Sequence, residues 1–220
     1  MSVWVKICGI TRVCDAEAAA ALGADAIGLN FARQSPRHVE PEMAIDLAKA
    51  ARAVRPSGSD PFEVVGVFVD EKTEHMVDVA RRVGLTSLQL HGDEAPSQLA
   101  TLEQMLGAAP ASGRVYKAVR ISEPADVQAS RKFLRQRLLA DAKVVGALGG
   151  TGHSFDWSLV ADLNRACDLI LAGGLRPDNV REAISSLRPF GVDTASGVES
   201  APGIKDEELL RQFVSLAKAD

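Results

Sequence analysis

Hydrophobic and polar positions along the chain fall into two repeating patterns. Short apolar runs rich in β-branched residues occur at 3–7 (VWVKI), 26–30 (AIGLN), 64–69 (VVGVFV), 87–90 (SLQL), 115–119 (VYKAV), 138–141 (LLAD), 169–172 (LILA) and 191–193 (GVD). Each has the length of a strand. Between them, apolar residues recur at helical spacing: Met76, Val79, Ala80 and Val83; Val180, Ala183, Ile184 and Leu187; Leu209, Phe213, Leu216 and Ala217. Each set shares one face of a helix. The intervals between strand starts have room for a strand, a helix and two short loops. Regular alternation without a hairpin signal predicts parallel pairing, since parallel neighbours need a crossover. Eight such units close naturally into a (β/α)8 barrel.

A doubly wound open sheet is the competing architecture. It usually carries a glycine-rich turn after its first strand, whereas KICGIT has one glycine and GALGGTGHSF (146–155) fits neither the dinucleotide nor the phosphate-loop pattern. No Pro/Ser/Gly-rich tether divides the 220 residues, RPSGSDP (55–61) being too short, so a single domain over 1–220 is expected.

Composition narrows the partners. A net charge of −4, from 25 basic and 29 acidic residues mixed along the chain, gives no footprint for nucleic acid. The basic stretch RKFLRQR (131–137) reads as a helix with Phe133 and Leu134 inward and its charges solvated. No apolar run is long enough to cross a bilayer, and a cytoplasmic location is expected. Three cysteines, Cys8, Cys14 and Cys167, make an odd number without paired spacing, and His38, His75, His91 and His153 lie far apart. Neither a disulfide framework nor a metal site is indicated, and no cofactor is expected.

Barrel enzymes act at the C-terminal ends of their strands. Those ends carry Cys8-Gly9, Asn30, Asp70, His91-Gly92, Arg120, Asp141, Gly173-Gly174 and Asp193, and the two longest intervals place turn-rich loops at 31–41 and 143–155 on the same face. Position alone leaves Cys8 open between rim chemistry and core packing. For Cys14 and Cys167 packing is the expectation. Asp141 leaves a buried strand, where partial desolvation raises a carboxyl pKa and lets it donate a proton near neutrality; turn capping or pairing with Lys143 is the alternative. Gly173 and Gly174, followed by Pro177 in a first helical turn, together with Gly197 after the eighth strand, expose backbone amides suited to a phosphate. Arg37 is either a clamp for a carboxylate or a solvated loop arginine, and His91 either contacts substrate or bonds a neighbouring strand end.

Taken together, KICGIT, LQLHGDE, LLADAK followed by GGTGHSFDW, LAGGLRPDNV and VDTASGVE occur in order from residue 6 to 199. In this combination the chain resembles the phosphoribosylanthranilate isomerase family. The resemblance implies an Amadori rearrangement of a phosphorylated aminoaldose to the aminoketose. It implies Cys8 as general base, Asp141 as general acid, Arg37 on the anthranilate carboxylate, Gly173, Gly174, Ser196 and Gly197 on the phosphate, and Asp193 near the ribose hydroxyls. The chain has VDTAS where the family more often has VDVSS. Monomer and homodimer both remain open. Three rivals stand beside this reading: a histidine-pathway isomerase, which would place a carboxylate at Cys8; a non-catalytic phosphate-ligand barrel; and a cysteine hydrolase, which would need a histidine beside Cys8.

Overall fold

The computed structural model describes residues 3–55, 61–107, 114–134, 137–141 and 157–219. Lys143, His153, the 143–155 loop and all of GGTGHSFDW but Trp157 lie outside the described residues. Eight parallel strands close into a barrel in chain order: β1 (Trp4–Cys8), β2 (Ala26–Asn30), β3 (Glu63–Phe68), β4 (Ser87–Leu90), β5 (Val115–Arg120), β6 (Arg137–Asp141), β7 (Asp168–Ala172) and β8 (Gly191–Thr194). The ring is sealed by β1 against β8, with Lys6 opposite Asp193 in register. Around it run α1 (Val13–Ala21), α2 (Pro41–Ala53), α3 (Thr73–Val83), α4 (Pro96–Met105), α5 (Pro124–Ser130), α6 (Ala161–Ala166), α7 (Val180–Leu187) and α8 (Glu207–Lys218). Among the described residues no helix is long and apolar enough to cross a membrane.

All eight apolar runs are strands, and the amphipathic faces pack as their spacing requires. Met76, Val79, Ala80 and Val83 are buried; so are Val180, Ala183 and Leu187, and Phe213 and Ala217. Ile184, Leu209 and Leu216 pack partly buried on the same core. Strand residues facing outward (Val5, Ile7, Ile27, Leu29, Leu88, Leu90) join these helix faces in one large cluster. A second cluster of Ala26, Val65, Tyr116, Ala118, Leu139, Ile170 and Ala172 fills the barrel itself. Strand parity thus sets two cores, one on each side of a single wall.

The lower end of the barrel is plugged by charge and aromatic rings. Arg137 pairs with Glu63 at 2.8 Å, and its guanidinium stands 5.1 Å from the Trp4 ring centroid and 5.0 Å from that of Phe190. This corrects the expected helix over 131–137. Residues Arg131–Phe133 form one 3-10 turn with Phe133 buried, and Arg137 opens β6 with its charge turned into the barrel. A basic residue at a strand's first inward position is indistinguishable in sequence from one on a solvated helix.

Three smaller differences bear on the site. Cys14 lies on α1 but is exposed, whereas Cys167 packs on the core as expected. Pro177 sits in the turn before α7, which starts at Val180. An antiparallel hairpin of β9 (Glu199–Ala201) and β10 (Ile204–Lys205) follows β8; its few residues carry no alternation long enough to read.

Because Glu63 is only about one-fifth exposed, removing its partner strands a carboxylate. Arg137→Ala is expected to lower the unfolding free energy, at the lower end of the roughly 3–5 kcal/mol typical of a broken buried pair. The urea midpoint of the variant against wild type measures it.

Candidate active site

The floor of the site is a buried polar layer. Lys6 points into the barrel, is fully buried, and donates to Asp193 Oδ1 at 2.9 Å and to Gln89 Oε1 at 3.0 Å. The same Gln89 oxygen accepts from the Tyr116 hydroxyl at 3.3 Å. Burial opposes the ammonium, but the attraction of Asp193, with Cys8 and Tyr116 behind it, outweighs burial and holds the Lys6 pKa above its ordinary value. Lys6 therefore stays charged beneath the cavity.

Two residues further along β1, Cys8 has the same inward parity and ends the strand at the cavity edge. Glycines make this placement possible. A Cβ at Gly28 on β2 would lie 2.7 Å from Cys8 Sγ and 3.0 Å from Lys6 Cε. One at Gly9 would lie 2.3 Å from Arg37 Cδ, and Gly9 also has φ of 72°. The glycine behind the cysteine thus turns the chain and lets Arg37 cross the rim. Burial pushes the Cys8 thiol above its ordinary value of 9.0, with Asp193 adding to the rise, while Lys6 and Lys205 pull against it.

Asp141 ends β6 and lines the same cavity as Cys8, together with Arg37, His91 and Asp193. His91 Nε2 stands 3.5 Å from Asp141 Oδ2, with both side chains about one-quarter exposed. The contact is ionic in range without hydrogen-bond geometry, and the nitrogen has no hydrogen-bond partner among the described residues.

The ends of β7 and β8 lie side by side between those of β6 and β1. Gly173 and Gly174 have φ of 94° and 73°, values that favour glycine. Gly197 passes so close to the next loop that a Cβ there would sit 1.9 Å from Leu175 O. Thr194, the departure from the family's usual VDVSS, donates its hydroxyl to Leu175 O at 2.7 Å and ties the two loops together. Gly173, Gly174, Ser196 and Gly197 all line the cavity.

Arg37 is neither solvated nor free. It holds a carboxylate of the protein itself: Nε and Nη2 donate to the two Glu199 oxygens at 2.8 and 2.6 Å. Lys205, on β10, donates to Glu199 Oε1 at 2.7 Å and to the main-chain oxygens of Cys8 at 2.7 Å and Ala195 at 3.0 Å. Burial works against the Glu199 anion, but Arg37 and Lys205 overcome it and hold its pKa below the ordinary carboxylate value. Lys205 is itself pulled down by burial, with Glu199 opposing. The hairpin is fastened by Thr11 donating to Gly203 O and by Lys205 N donating to Asp15 Oδ2. Sequence reasoning missed Lys6, Gly28, Gln89, Glu199 and Lys205. For Lys6 a signal existed, its parity with Cys8; Glu199 and Lys205 had none, because a long-range hairpin brings them in.

A closed parallel barrel whose C-terminal rim gathers a thiol, a carboxyl, a guanidinium and two glycine-rich strand ends belongs to the barrel enzymes that act at that rim. The family model described as N-(5'phosphoribosyl)anthranilate (PRA) isomerase matches residues 5–216. An N-(5'-phosphoribosyl)anthranilate isomerase of Myxococcus xanthus is 45% identical over 223 aligned positions, covering 100% of this chain and 98% of its own. The crystal structure of the Thermotoga maritima phosphoribosyl anthranilate isomerase superposes with a TM-score of 0.84 at 38% identity, covering 98% of both chains. A second solved structure, of a phosphoribosyl anthranilate isomerase in complex with reduced 1-(o-carboxyphenylamino)-1-deoxyribulose 5-phosphate, gives 0.82 at 37% identity, again over 98% of both chains. The chain belongs to the phosphoribosylanthranilate isomerase family.

Thiol titration checks the electrostatics. Alkylation of Cys8 by iodoacetamide, followed by mass spectrometry across a pH series, is expected to reach half its limiting rate above pH 9.0. Cys167, pushed up to about 11 by burial, should reach half its limiting rate near that pH. A Cys8 midpoint below 9.0 would show that Lys6 and Lys205 outweigh burial.

Proposed function

We propose that this chain catalyses the family's reaction in tryptophan biosynthesis, the Amadori rearrangement of N-(5'-phosphoribosyl)anthranilate, with Cys8 as general base and Asp141 as general acid. The observation that carries the reading is that both side chains face one cavity, which also holds Arg37 and the glycine-rich ends of β7 and β8. Ring opening needs a proton donor and enolisation needs a base, at different atoms of one substrate. Asp141 protonates the ribose ring oxygen, and the C1–O bond breaks to leave the Schiff base. Cys8 then removes the C2 proton, and the enolamine tautomerises to the ketone. Each proton transfer contributes about 10²–10⁴-fold.

A thiol with a raised pKa is mostly protonated at neutral pH but is a strong base once ionised. Lys6 beneath it and Lys205 behind it favour the thiolate. In the same reading the amides around Gly173, Gly174, Ser196 and Gly197 take the phosphate, Arg37 takes the anthranilate carboxylate, Asp193 lies toward the ribose hydroxyls, and His91 stands beside the acid. A thiol on β1 speaks against the histidine-pathway isomerase. An acid and a base in one cavity speak against a purely binding role. The proposal takes residues 1–220 as one barrel domain, as monomer or homodimer, working in the cytoplasm where a free thiol stays reduced.

Fluorescence decay of freshly generated phosphoribosylanthranilate, corrected for spontaneous breakdown, tests the assignment. Wild type should accelerate decay and form the aminoketose. Cys8→Ala and Asp141→Ala should each lose at least about 10²-fold in turnover while keeping the wild-type circular dichroism spectrum. Near-wild-type turnover by either variant removes that residue from its role.

A further inference from the structure

Glu199 and Lys205 take no part in the proton transfers above, yet both are almost wholly buried beside the cavity, with side-chain exposures of 4% and 0%. Their effect runs through Arg37. A guanidinium paired with a carboxylate is neutral overall and has little attraction left for a second carboxylate. Two features of the cluster change that.

The first is charge. Lys205 Nζ faces three acceptors, Cys8 O, Ala195 O and Glu199 Oε1. Three acceptors match the three N–H groups of an ammonium; a neutral amine would turn its lone pair toward one of them. Arg37, Glu199 and Lys205 together therefore carry one net positive charge. The second is geometry. Glu199 occupies the Nε and Nη2 side of the guanidinium; Nη1 makes no hydrogen bond among the described residues and, with the second N–H of Nη2, forms the remaining edge. That edge is the one on which an incoming carboxylate can form a second paired contact.

We propose that Lys205 is a positioning residue that sets specificity for a carboxylate-bearing aromatic ligand. Its buried charge offsets Glu199, so that Arg37, held by Glu199, still presents an uncompensated charge on its free edge. The inference rests on the assignment of Arg37 to the substrate carboxylate.

The test compares two ligands by titration calorimetry: reduced 1-(o-carboxyphenylamino)-1-deoxyribulose 5-phosphate, and the same molecule lacking the ring carboxylate. In wild type the carboxylate should tighten binding about 10–100-fold. In Lys205→Gln, which keeps a donor but loses the charge, the ratio should shrink to within about threefold, and Lys205→Arg should restore it. Glu199→Gln removes the opposing negative charge and should keep or widen the wild-type ratio. A purely structural role for Lys205 would weaken both ligands alike; an unchanged ratio in Lys205→Gln overturns the inference and leaves the Arg37 assignment standing. No ratio in wild type overturns both. Should Lys205→Gln fail to fold, Glu199→Gln decides: a folded variant whose ratio falls below wild type overturns the inference.

Discussion

The pair formed by Lys6 and Asp193 is the interaction on which the rest of the molecule depends. The two residues stand opposite each other in register on β1 and β8, the strands that seal the barrel, and Lys6 is entirely buried. A lysine in such a place is tolerated only if its charge is matched and hydrogen-bonded; Asp193 supplies the opposite charge and one acceptor, and Gln89 a second acceptor. Losing either charge would leave the other stranded, a change that typically costs about 3–5 kcal/mol. The same pair lays a positive charge under Cys8 and a negative one at the cavity wall, so closure of the fold and polarisation of the site share one contact.

A second constraint governs the rim. Arg37 crosses beside Gly9, and Cys8 and Lys6 pack against Gly28, in space that a Cβ at either glycine would fill. Lys205 joins them by binding the Cys8 and Ala195 carbonyls, which brings the beginning and the end of the barrel together a second time, above the Lys6–Asp193 seam. The end of β1 at Cys8 and the loop after β8 at Ala195 are therefore held by one ammonium group. Rigidity at this point comes from the buried ammonium of Lys205, whose three N–H groups each have an acceptor.

Much of this was open to reading along the chain. The eight strands and three of the helix faces followed from apolar period, and the rim position of Cys8 and Asp141 followed from strand ends. Where the reading failed, the signal was ambiguous in kind. Arg137 looked like part of a basic helix because one inward arginine in a strand leaves no periodic trace. Cys14 looked like a packing residue because composition statistics favour buried cysteine, whereas its helical angle turned it outward. Arg37 was open along the chain between clamping a carboxylate and lying solvated in its loop; that Glu199 is its partner was not legible.

The sequence by itself determined the strand–helix alternation, the parity that sends Lys6 and Cys8 inward while Val5 and Ile7 go outward, and the family to which the motifs point. These are local properties, written in spacings of two and of three to four residues. Tertiary structure alone decided which charges meet: Lys6 with Asp193, Arg137 with Glu63, and Arg37 with Glu199 and Lys205. Those partners lie far apart in the chain, and their pairing is enforced by desolvation, which acts only once closing the barrel has taken both members out of water.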